Sequence, residues 1–539
     1  MSTDIRTPEH DPPALAGRPS APTWIDTVAV CMGALLLFSL TVHDFQAAVT
    51  DISARRAMTG AVPYRDFWTM YAPGSIYAMA AAYTLFGVHM LVGKVLGLLV
   101  ATAAVTAFHR IALQLLTRAW ALAAAAVFAA AFFNSGYHEY LGSYPPAILL
   151  ILLAIGRVAA DAGDPSDRRL VELGLLLGAA ALFKHDVAAY ACVAAGIALL
   201  ATGRGLRAVM LVAGSVLVVV LPAVAALLLA GAGRAAWIDL VQYPLGDFKV
   251  VRPESFPLIP HIWSGSLEQR LRRGVWWATL NLPSIAALAG ALGLWLKRSA
   301  LGLIERRLAV FALVAYPLYW SAGHVQANTH KVTFAALGIL LLLAGAPALS
   351  RRLRVHRIPW VPALLAAWSA VLLAEPVLAW RGQAPRVPLE LPWLGGITTP
   401  APEAQWMKAL AQALADAAPP DVPLLLLGWR NDVLIHASTQ VFWLSDRDIV
   451  GGHHELHPAI TDTEPVQREM LAAVRARGVL PLVVLEHRFP ATSLDHWGAI
   501  YRAGGVPVGA RLLDEWVAAN YESTGRYGMY EVMRPIGGW

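Results

Sequence analysis

The feature that most constrains this chain is a series of long apolar segments separated by short polar ones. About eleven of them are long and apolar enough to cross a bilayer as helices. They cover residues 24–42, 91–109, 119–134, 146–161, 170–184, 187–203, 208–232, 275–296, 308–323, 331–349 and 358–380. In lipid each backbone polar group needs a partner within the chain, so such segments fold as helices. The sequence therefore predicts a multi-pass α-helical membrane protein.

Composition supports this class and excludes others. Of the 539 residues, 57% are hydrophobic and 14% are charged, which is too apolar for a soluble chain. The formal charge of +6 does not indicate nucleic acid, because much of it lies in short connections between apolar segments. Cys31 and Cys192 both lie inside apolar segments, so no disulfide framework or cysteine metal site is predicted.

The connections alternate in character, and this alternation predicts the topology. The basic set comprises residues 110–118, 157–169, 204–207, 297–307 and 351–357. Because basic connections stay in the cytoplasm, the N-terminus is predicted inside, with residues 1–23 as a disordered tail. No cleavage site follows 24–42, which is predicted to be an uncleaved anchor in the inner (plasma) membrane. The segment 75–87 is too short to cross and is predicted to be a helix at the interface.

From about residue 381 the composition becomes that of a soluble domain. Helices are predicted at 403–417 and 464–477, and strands at the segments 422–428, 440–445, 480–486 and 528–534. The alternation predicts a small α/β domain at 381–539, on the outer face, after a membrane domain at 24–380. Its histidines His453, His454 and His457 suggest a metal site, but their spacing fixes no carboxylate or thiol partner, and no metal is predicted there.

The stretch 43–74, directly after the first apolar segment, concentrates charge and aromatic side chains. Its acids are Asp44, Asp51 and Asp66, and arginines and aromatic residues lie between them. Acids at a membrane cavity are costly and tend to be functional, whereas the structural alternative is a solvated loop whose aromatics sit at the interface.

The pattern of this stretch resembles that of a known family. Asp44 is followed by Gly60, by PYRDF at 63–67, by PG at 73–74 and by FG at 86–87. This resembles the GT-C membrane glycosyltransferases, especially bacterial relatives of the protein O-mannosyltransferases and aminoarabinose transferases, over roughly residues 24–345. The family often has a second acid directly after the first, where this chain has Phe45.

The resemblance implies transfer of a sugar from a polyprenyl-phosphate donor to a lipid, glycan or protein acceptor on the outer face, with inversion. By this resemblance Asp44 is the general base. The residues expected to contact the donor phosphate are Arg65, Lys184, His185, His324, His330 and Lys331. Those expected to bind the sugar or acceptor are Asp66, Glu139, Tyr140 and Tyr144. The alternative for each cation is contact with lipid headgroups, and for each tyrosine a place in the interfacial aromatic belt.

No cofactor is predicted. Asp44 and Glu139 have the chemistry to hold a divalent cation, but the family does not generally need one. Two other functions stay open: a transporter or flippase for a lipid-linked sugar, and a non-catalytic envelope assembly protein. A transporter is expected to show repeated halves and mid-membrane acids, neither of which is evident in the sequence.

Overall fold

A computed structural model describes residues 24–251 except 47 and 160–165, residues 303–323, and residues 384–539 except 436–438, with isolated residues between 266 and 382. The predicted tail and the predicted helix at 331–349 lie outside these residues. Most of the predicted helices at 275–296 and 358–380 also lies outside them.

The predicted apolar segments that fall within the described residues form helices. They are α1 Trp24–Ser39, α4 Met90–Leu115, α5 Arg118–Asn134, α6 Tyr144–Ala159, α7 Asp167–Phe183, α8 His185–Ala201, α9 Gly205–Leu229 and α10 Leu303–Gly323. Among the described helices, Met90–Gln114 and Gly205–Leu229 are long and apolar enough to cross a membrane, and four others are apolar but shorter. The helical prediction is confirmed, with ends that differ by a few residues.

The helices pack around α4 and α7. Helix α4 contacts α1, α5 and α6, whereas α7 lies between α6 and α9, and α8 packs on α10. Alanines and phenylalanines such as Ala104, Phe108 and Phe128 fill the interior. Leu221, Leu228 and Leu229 on α9 are exposed, at 55%, 62% and 90%. An apolar face left uncovered on a chain of this composition is the surface expected to meet lipid.

The stretch after α1 is ordered rather than a plain loop. It contains α2 Val49–Met58, which the sequence pattern did not predict, and leads to α3 Pro73–Phe86, which confirms the helix expected at 75–87. Between them, Trp68 donates its backbone N–H to the carbonyl of Gly452 at 2.9 Å. The stretch is thus covered by the C-terminal domain.

The C-terminal domain has the predicted mixed α/β character. Its strands are β1 Arg386–Pro388, β2 Thr398–Pro400, β3 Leu424–Gly428, β4 Leu482–Glu486, β5 Tyr521–Tyr527 and β6 Tyr530–Pro535. Its helices are α11 Ala401–Ala417, α12 Gln440–Ser445, α13 Glu464–Arg477, α14 Ala491–Ala503 and α15 Leu512–Asn520. β1 and β2 form an antiparallel pair, and the larger sheet has the order β3-β4-β6-β5, in which only β3 and β4 are parallel.

One predicted strand is wrong, and three strands, β1, β2 and β5, were not predicted. The segment 440–445 is helix α12, with Val441, Phe442, Trp443 and Leu444 all buried. A short run that is buried on every side shows no alternation, so its period cannot separate helix from strand. β5 was not predicted because its sequence, YESTGRY, is mostly polar and exposed.

The two parts of the molecule share one hydrophobic cluster. It joins Ile52 of α2 and Tyr83 of α3 to Leu394, Leu424 and Trp443 of the C-terminal domain. Because a packed interior resists displacement, this cluster holds the stretch 43–74 between the helices and the C-terminal domain.

Candidate active site around Asp44

Asp44 lies at the seam between the helical part and the C-terminal domain. Beyond the end of α1 the chain turns, and the Asp44 N–H donates to the Thr41 carbonyl at 3.0 Å. Its carboxylate Oδ1 lies 2.6 Å from a guanidinium nitrogen of Arg386, in β1. Both side chains are about one-fifth exposed, at 21% and 20%, so the ion pair is partly shielded from water.

Lys94 brings a buried positive charge to the same place. It lies in the second turn of α4, it is 1% exposed, and its Nζ has no hydrogen-bond partner among the described residues. The charged groups that act on it are Glu139, Asp44, Asp51 and Arg386. A buried ammonium is costly unless anions compensate it, so these acids make its position tolerable.

Glu139 ends a short 3-10 helix, Tyr137–Glu139, between α5 and α6. The Leu141 N–H donates to the Gly93 carbonyl of α4 at 3.0 Å, and a Cβ on Gly97 would lie 2.5 Å from the Tyr140 backbone. Glycine at position 97 therefore permits the close approach of this segment to α4. Burial raises the pKa of Glu139 to about 7, although the charge of Lys94 opposes the shift.

His138 fixes the segment to the end of α1. Its Nε2 lies 2.8 Å from the Thr41 hydroxyl, and its ring stacks on Phe38 and Phe133 at centroid distances of 5.0 and 4.6 Å. Burial lowers the pKa of His138 to about 3, with Lys94 contributing, so the ring is neutral at physiological pH. The contact therefore holds Asp44 and Glu139 near each other without adding charge.

Asp51 is also buried beside α4, at 2% exposure. It accepts the Ala48 N–H at 3.1 Å, in the first turn of α2. Burial raises its pKa to about 6, against the lowering effects of that hydrogen bond, Tyr83 and Lys94. Asp51 thus belongs to the interior beneath the seam rather than to a solvated loop.

Together, Asp44, Lys94, Glu139 and Arg386 define what we call the Asp44 cluster. Its two acidic residues are Asp44, in the connection after α1, and Glu139, in the 3-10 helix. Its two cationic residues are Lys94, near the start of α4, and Arg386, in β1. A carboxylate held beside cations can accept a proton, and an acid with a pKa near 7 can both donate and accept hydrogen bonds.

A second group of predicted residues meets at the junction of α7 and α8. Lys184 is 6% exposed, its Nζ lies 5.1 Å from the Tyr144 ring centroid, and it is 3.3 Å from Asp186. The His185 ring contacts the Leu240 carbonyl at 2.8 Å. The structure therefore brings Lys184 and Tyr144 together, as a buried cation beside an aromatic face.

Arg65 and Asp66 are bound chiefly to each other. Two guanidinium nitrogens of Arg65 contact the Asp66 carboxylate at 2.9 and 2.7 Å, and a third donates to the Ala230 carbonyl at 3.0 Å. Asp66 also accepts the Val62 N–H at 2.7 Å. This pairing holds the turn in which Tyr64 has a positive φ of 69°.

Two histidines of the C-terminal domain, His454 and His457, contact the stretch 43–74. His454 lies 3.0 Å from the Ser53 hydroxyl, and burial keeps its pKa well below the ordinary value, with the Arg56 charge contributing. His457 lies 2.6 Å from Glu455, and its ring is 5.0 Å from that of Trp68. Within the described parts of the chain, no three His, Cys, Asp or Glu side chains are arranged to hold a metal ion.

Of the other predicted site residues, Tyr140 lies against α4, and burial raises its pKa to about 12. His324, His330 and Lys331 lie outside the described residues.

Two residues of the Asp44 cluster, Lys94 and Arg386, were not predicted from the sequence. An ionisable residue close to one end of an apolar segment was a usable signal for Lys94. Arg386 carried none, since it is one of many arginines in a soluble domain.

Comparison with known proteins places the fold. No known family and no curated protein matches the sequence. The crystal structure of ArnT from Cupriavidus metallidurans bound to undecaprenyl phosphate aligns with a TM-score of 0.51 at 13% identity, over 95% of this chain and 97% of that one. Apo ArnT from the same organism gives 0.49 at 14% identity, over 95% and 97% of the two chains. The cryo-EM structure of the arabinofuranosyltransferase AftD from Mycobacteria gives 0.49 at 15% identity, over 96% of this chain and 40% of that one.

The alignment with undecaprenyl phosphate-bound ArnT shows that the chain shares the fold of a GT-C membrane glycosyltransferase over nearly its whole length. The resemblance indicated by Asp44, PYRDF and the following PG is confirmed at the level of the fold.

Proposed function

We propose that this protein transfers a sugar from a polyprenyl-phosphate carrier to an acceptor hydroxyl at the outer face of the membrane, with inversion and with Asp44 as general base. The observation that carries the proposal is the Asp44 cluster, which places a carboxylate beside cations directly after the first apolar helix. The shared fold with ArnT, which was crystallised with undecaprenyl phosphate, supports this class of donor.

The reaction is a substitution at the anomeric carbon of the sugar. The acceptor oxygen attacks that carbon while its proton passes to the Asp44 carboxylate, and the bond from carbon to phosphate oxygen breaks. The electron pair leaves with the polyprenyl phosphate, so no external reductant or oxidant is needed. Because attack and departure occur on opposite faces of the sugar, the configuration at this carbon is inverted.

The other residues have supporting roles in the proposal. Lys94 compensates the charge of Asp44 and Glu139, and so keeps a carboxylate available in a partly buried place. A protonated Glu139 can donate a hydrogen bond to a sugar oxygen as well as accept one from a sugar hydroxyl. Lys184, held at 5.1 Å from the Tyr144 ring centroid, is the described cation that we assign to the leaving phosphate.

The first test compares Asp44→Asn, Asp51→Asn and Asp66→Asn. Asparagine keeps the shape of each side chain but cannot take a proton. A general base contributes about 10²–10⁴-fold to a rate, so we expect a loss of that size for Asp44→Asn with donor binding retained. Asp66→Asn and Asp51→Asn should lose less, because the Asp66 carboxylate bonds Arg65 and Val62 and Asp51 is 2% exposed.

The measurement follows lipid-linked sugar by mass spectrometry in membranes of a deletion strain, before and after purified protein is added. Accumulation in the deletion strain and consumption on addition support the enzyme. Unaltered transfer by Asp44→Asn at normal protein level would favour the transporter or assembly functions. A loss confined to Asp51→Asn or Asp66→Asn would show that the wrong acid has been assigned.

A further inference from the structure

We infer that Arg386 of the C-terminal domain is a positioning residue for the transfer reaction, and that through its ion pair with Asp44 catalysis depends on the seating of that domain. This inference rests on the proposed function, because it assigns a role to the partner of the proposed base. It concerns a residue of the C-terminal domain that is distant from Asp44 in the sequence.

The backbone around Asp44 is an extension of the small sheet of the C-terminal domain. The Thr398 N–H donates to the His43 carbonyl at 2.6 Å, and the Phe45 N–H donates to the Thr398 carbonyl at 3.1 Å. Thr398 belongs to β2, and β2 pairs with β1 through Arg386 and Pro400. The strand that carries Arg386 is therefore in a fixed register with the residues on both sides of Asp44.

The side chains complete this seam. One guanidinium nitrogen of Arg386 lies 2.6 Å from Asp44 Oδ1. At this separation the two charges are in direct contact in a partly shielded place, and the planar guanidinium limits the positions open to the carboxylate. A carboxylate on the connection after α1 would otherwise rotate, and a misplacement of about 1 Å can cost about 10²-fold in rate.

The electrostatic balance of Asp44 also depends on Arg386. Among the described residues, the charged groups known to act on Asp44 include Lys94 of α4, Glu139 of the 3-10 helix and Arg386 of β1. Asp51 of α2 also interacts electrostatically with Lys94. Without Arg386, Asp44 would lose a neighbouring positive charge, while Lys94 would still be shared with Glu139 and Asp51. Protonation of the Asp44 carboxylate would therefore become easier.

The experiment measures initial rates against pH for the full chain and its Arg386→Gln and Arg386→Lys variants. The probe is the lipid-linked sugar in washed membranes of the deletion strain, quantified by mass spectrometry. Arg534→Gln is the matched control, because it breaks an ion pair of 2.7 Å with Glu522 in the same domain, at the other sheet.

We expect Arg386→Gln to move the acid limb of the pH–rate profile upward by about 1–2 pH units, since a nearby cation favours the charged form of a carboxylate. Its rate on the plateau should fall by about tenfold to a hundredfold, because the carboxylate is less well oriented. Arg386→Lys should keep the acid limb near that of the parent and recover part of the rate. Arg534→Gln should match the parent in both respects.

A rate that falls equally at all pH values in Arg386→Gln, with the acid limb unmoved, would overturn the inference, as would a parent-like profile. If Arg386→Gln does not fold, the test rests on Arg386→Lys. A plateau rate of Arg386→Lys equal to that of the parent would contradict a role for the planar guanidinium. No turnover by the parent would instead contradict the proposed function. If turnover is lost in Asp44→Asn but equals that of the parent in both Arg386 variants, the proposed function stands and only this inference is contradicted.

Discussion

At the scale of single residues, the Asp44 cluster balances two carboxyl groups against two cations in a place that is poorly solvated. Isolated charges there would be costly, so each group depends on the others. Phe45 stands where the family often has a second acid, and the second carboxyl group of the cluster is Glu139, from the next connection. The chain thus has a pair of acids at this place without the dipeptide that the family pattern suggests.

Glu139 gives a prediction about the pH dependence of stability. Its pKa in the folded protein is about 7, above the ordinary value of 4.5, because burial disfavours the charged form. Between these values the folded state holds a proton that the unfolded state releases, so stability falls as pH rises from about 4.5 to 7 and does not recover above 7. Glutamine is neutral throughout, so Glu139→Gln should raise the melting temperature relative to the parent at pH 8 and have less effect at pH 5.

The measurement is thermal unfolding of the detergent-solubilised protein at both pH values. Glu464→Gln is the control, since Glu464 is exposed at the start of α13 and forms a surface pair with Arg468. An equal change in melting temperature at pH 5 and pH 8 for Glu139→Gln would show that Glu139 does not titrate in this range.

At the scale of elements, the contact between α4 and the segment 137–142 sets the position of Glu139 relative to Lys94. It depends on Gly97, where a Cβ would lie 2.5 to 2.7 Å from three backbone atoms of Tyr140. Backbone atoms cannot rotate aside as a flexible side chain can, so any larger residue must displace the whole segment. The geometry of the cluster is therefore a property of helix approach as well as of its charged residues.

Gly97→Ala should consequently reduce transfer and lower stability by roughly 1–3 kcal/mol, the range typical of overpacking. Gly214→Ala in α9 is the matched control, because nothing lies within 4 Å of its added Cβ. Replacing glycine within a helix by alanine where space is open should be neutral or stabilise by up to about 1 kcal/mol. Initial rates and melting temperatures of the two variants test the pair, and parent-like behaviour of Gly97→Ala would contradict the close packing.

At the scale of the whole molecule, the C-terminal domain and the stretch 43–74 pack against each other, so both belong to the same side of the membrane. Their contacts include the pairing of Thr398 with residues 43–45 and the contact of His454 with Ser53. The basic connections predict that this side is the outer face and that the N-terminus is inside. A transfer reaction at the outer face requires the Asp44 cluster to lie on that side of the membrane.

The orientation is tested with single cysteines in a chain from which Cys31 and Cys192 have been removed. Thr492→Cys is exposed in α14, and Arg168→Cys lies at the start of α7, where the native side chain is 87% exposed. A membrane-impermeant thiol reagent applied to intact cells should label Thr492→Cys, and should label Arg168→Cys only after lysis. The reverse pattern would overturn the outer-face assignment of the site.

The sequence alone determined the helices that its apolar segments form, since a helix satisfies its own backbone hydrogen bonds whatever surrounds it. It also determined α13, whose polar and apolar residues alternate with helical period. Asp44 could be singled out because its position after the first apolar segment is a local property. The same holds for the family pattern of residues 60–87.

Only the tertiary structure decided what surrounds Asp44. Arg386 and Lys94 reach it from distant parts of the chain, and such partners leave no local pattern in the sequence. The structure alone also decided that 440–445 is a helix, since a fully buried run shows no period. The raised pKa of Glu139 is likewise tertiary in origin, because it arises from the burial that packing against α4 imposes on an otherwise ordinary side chain.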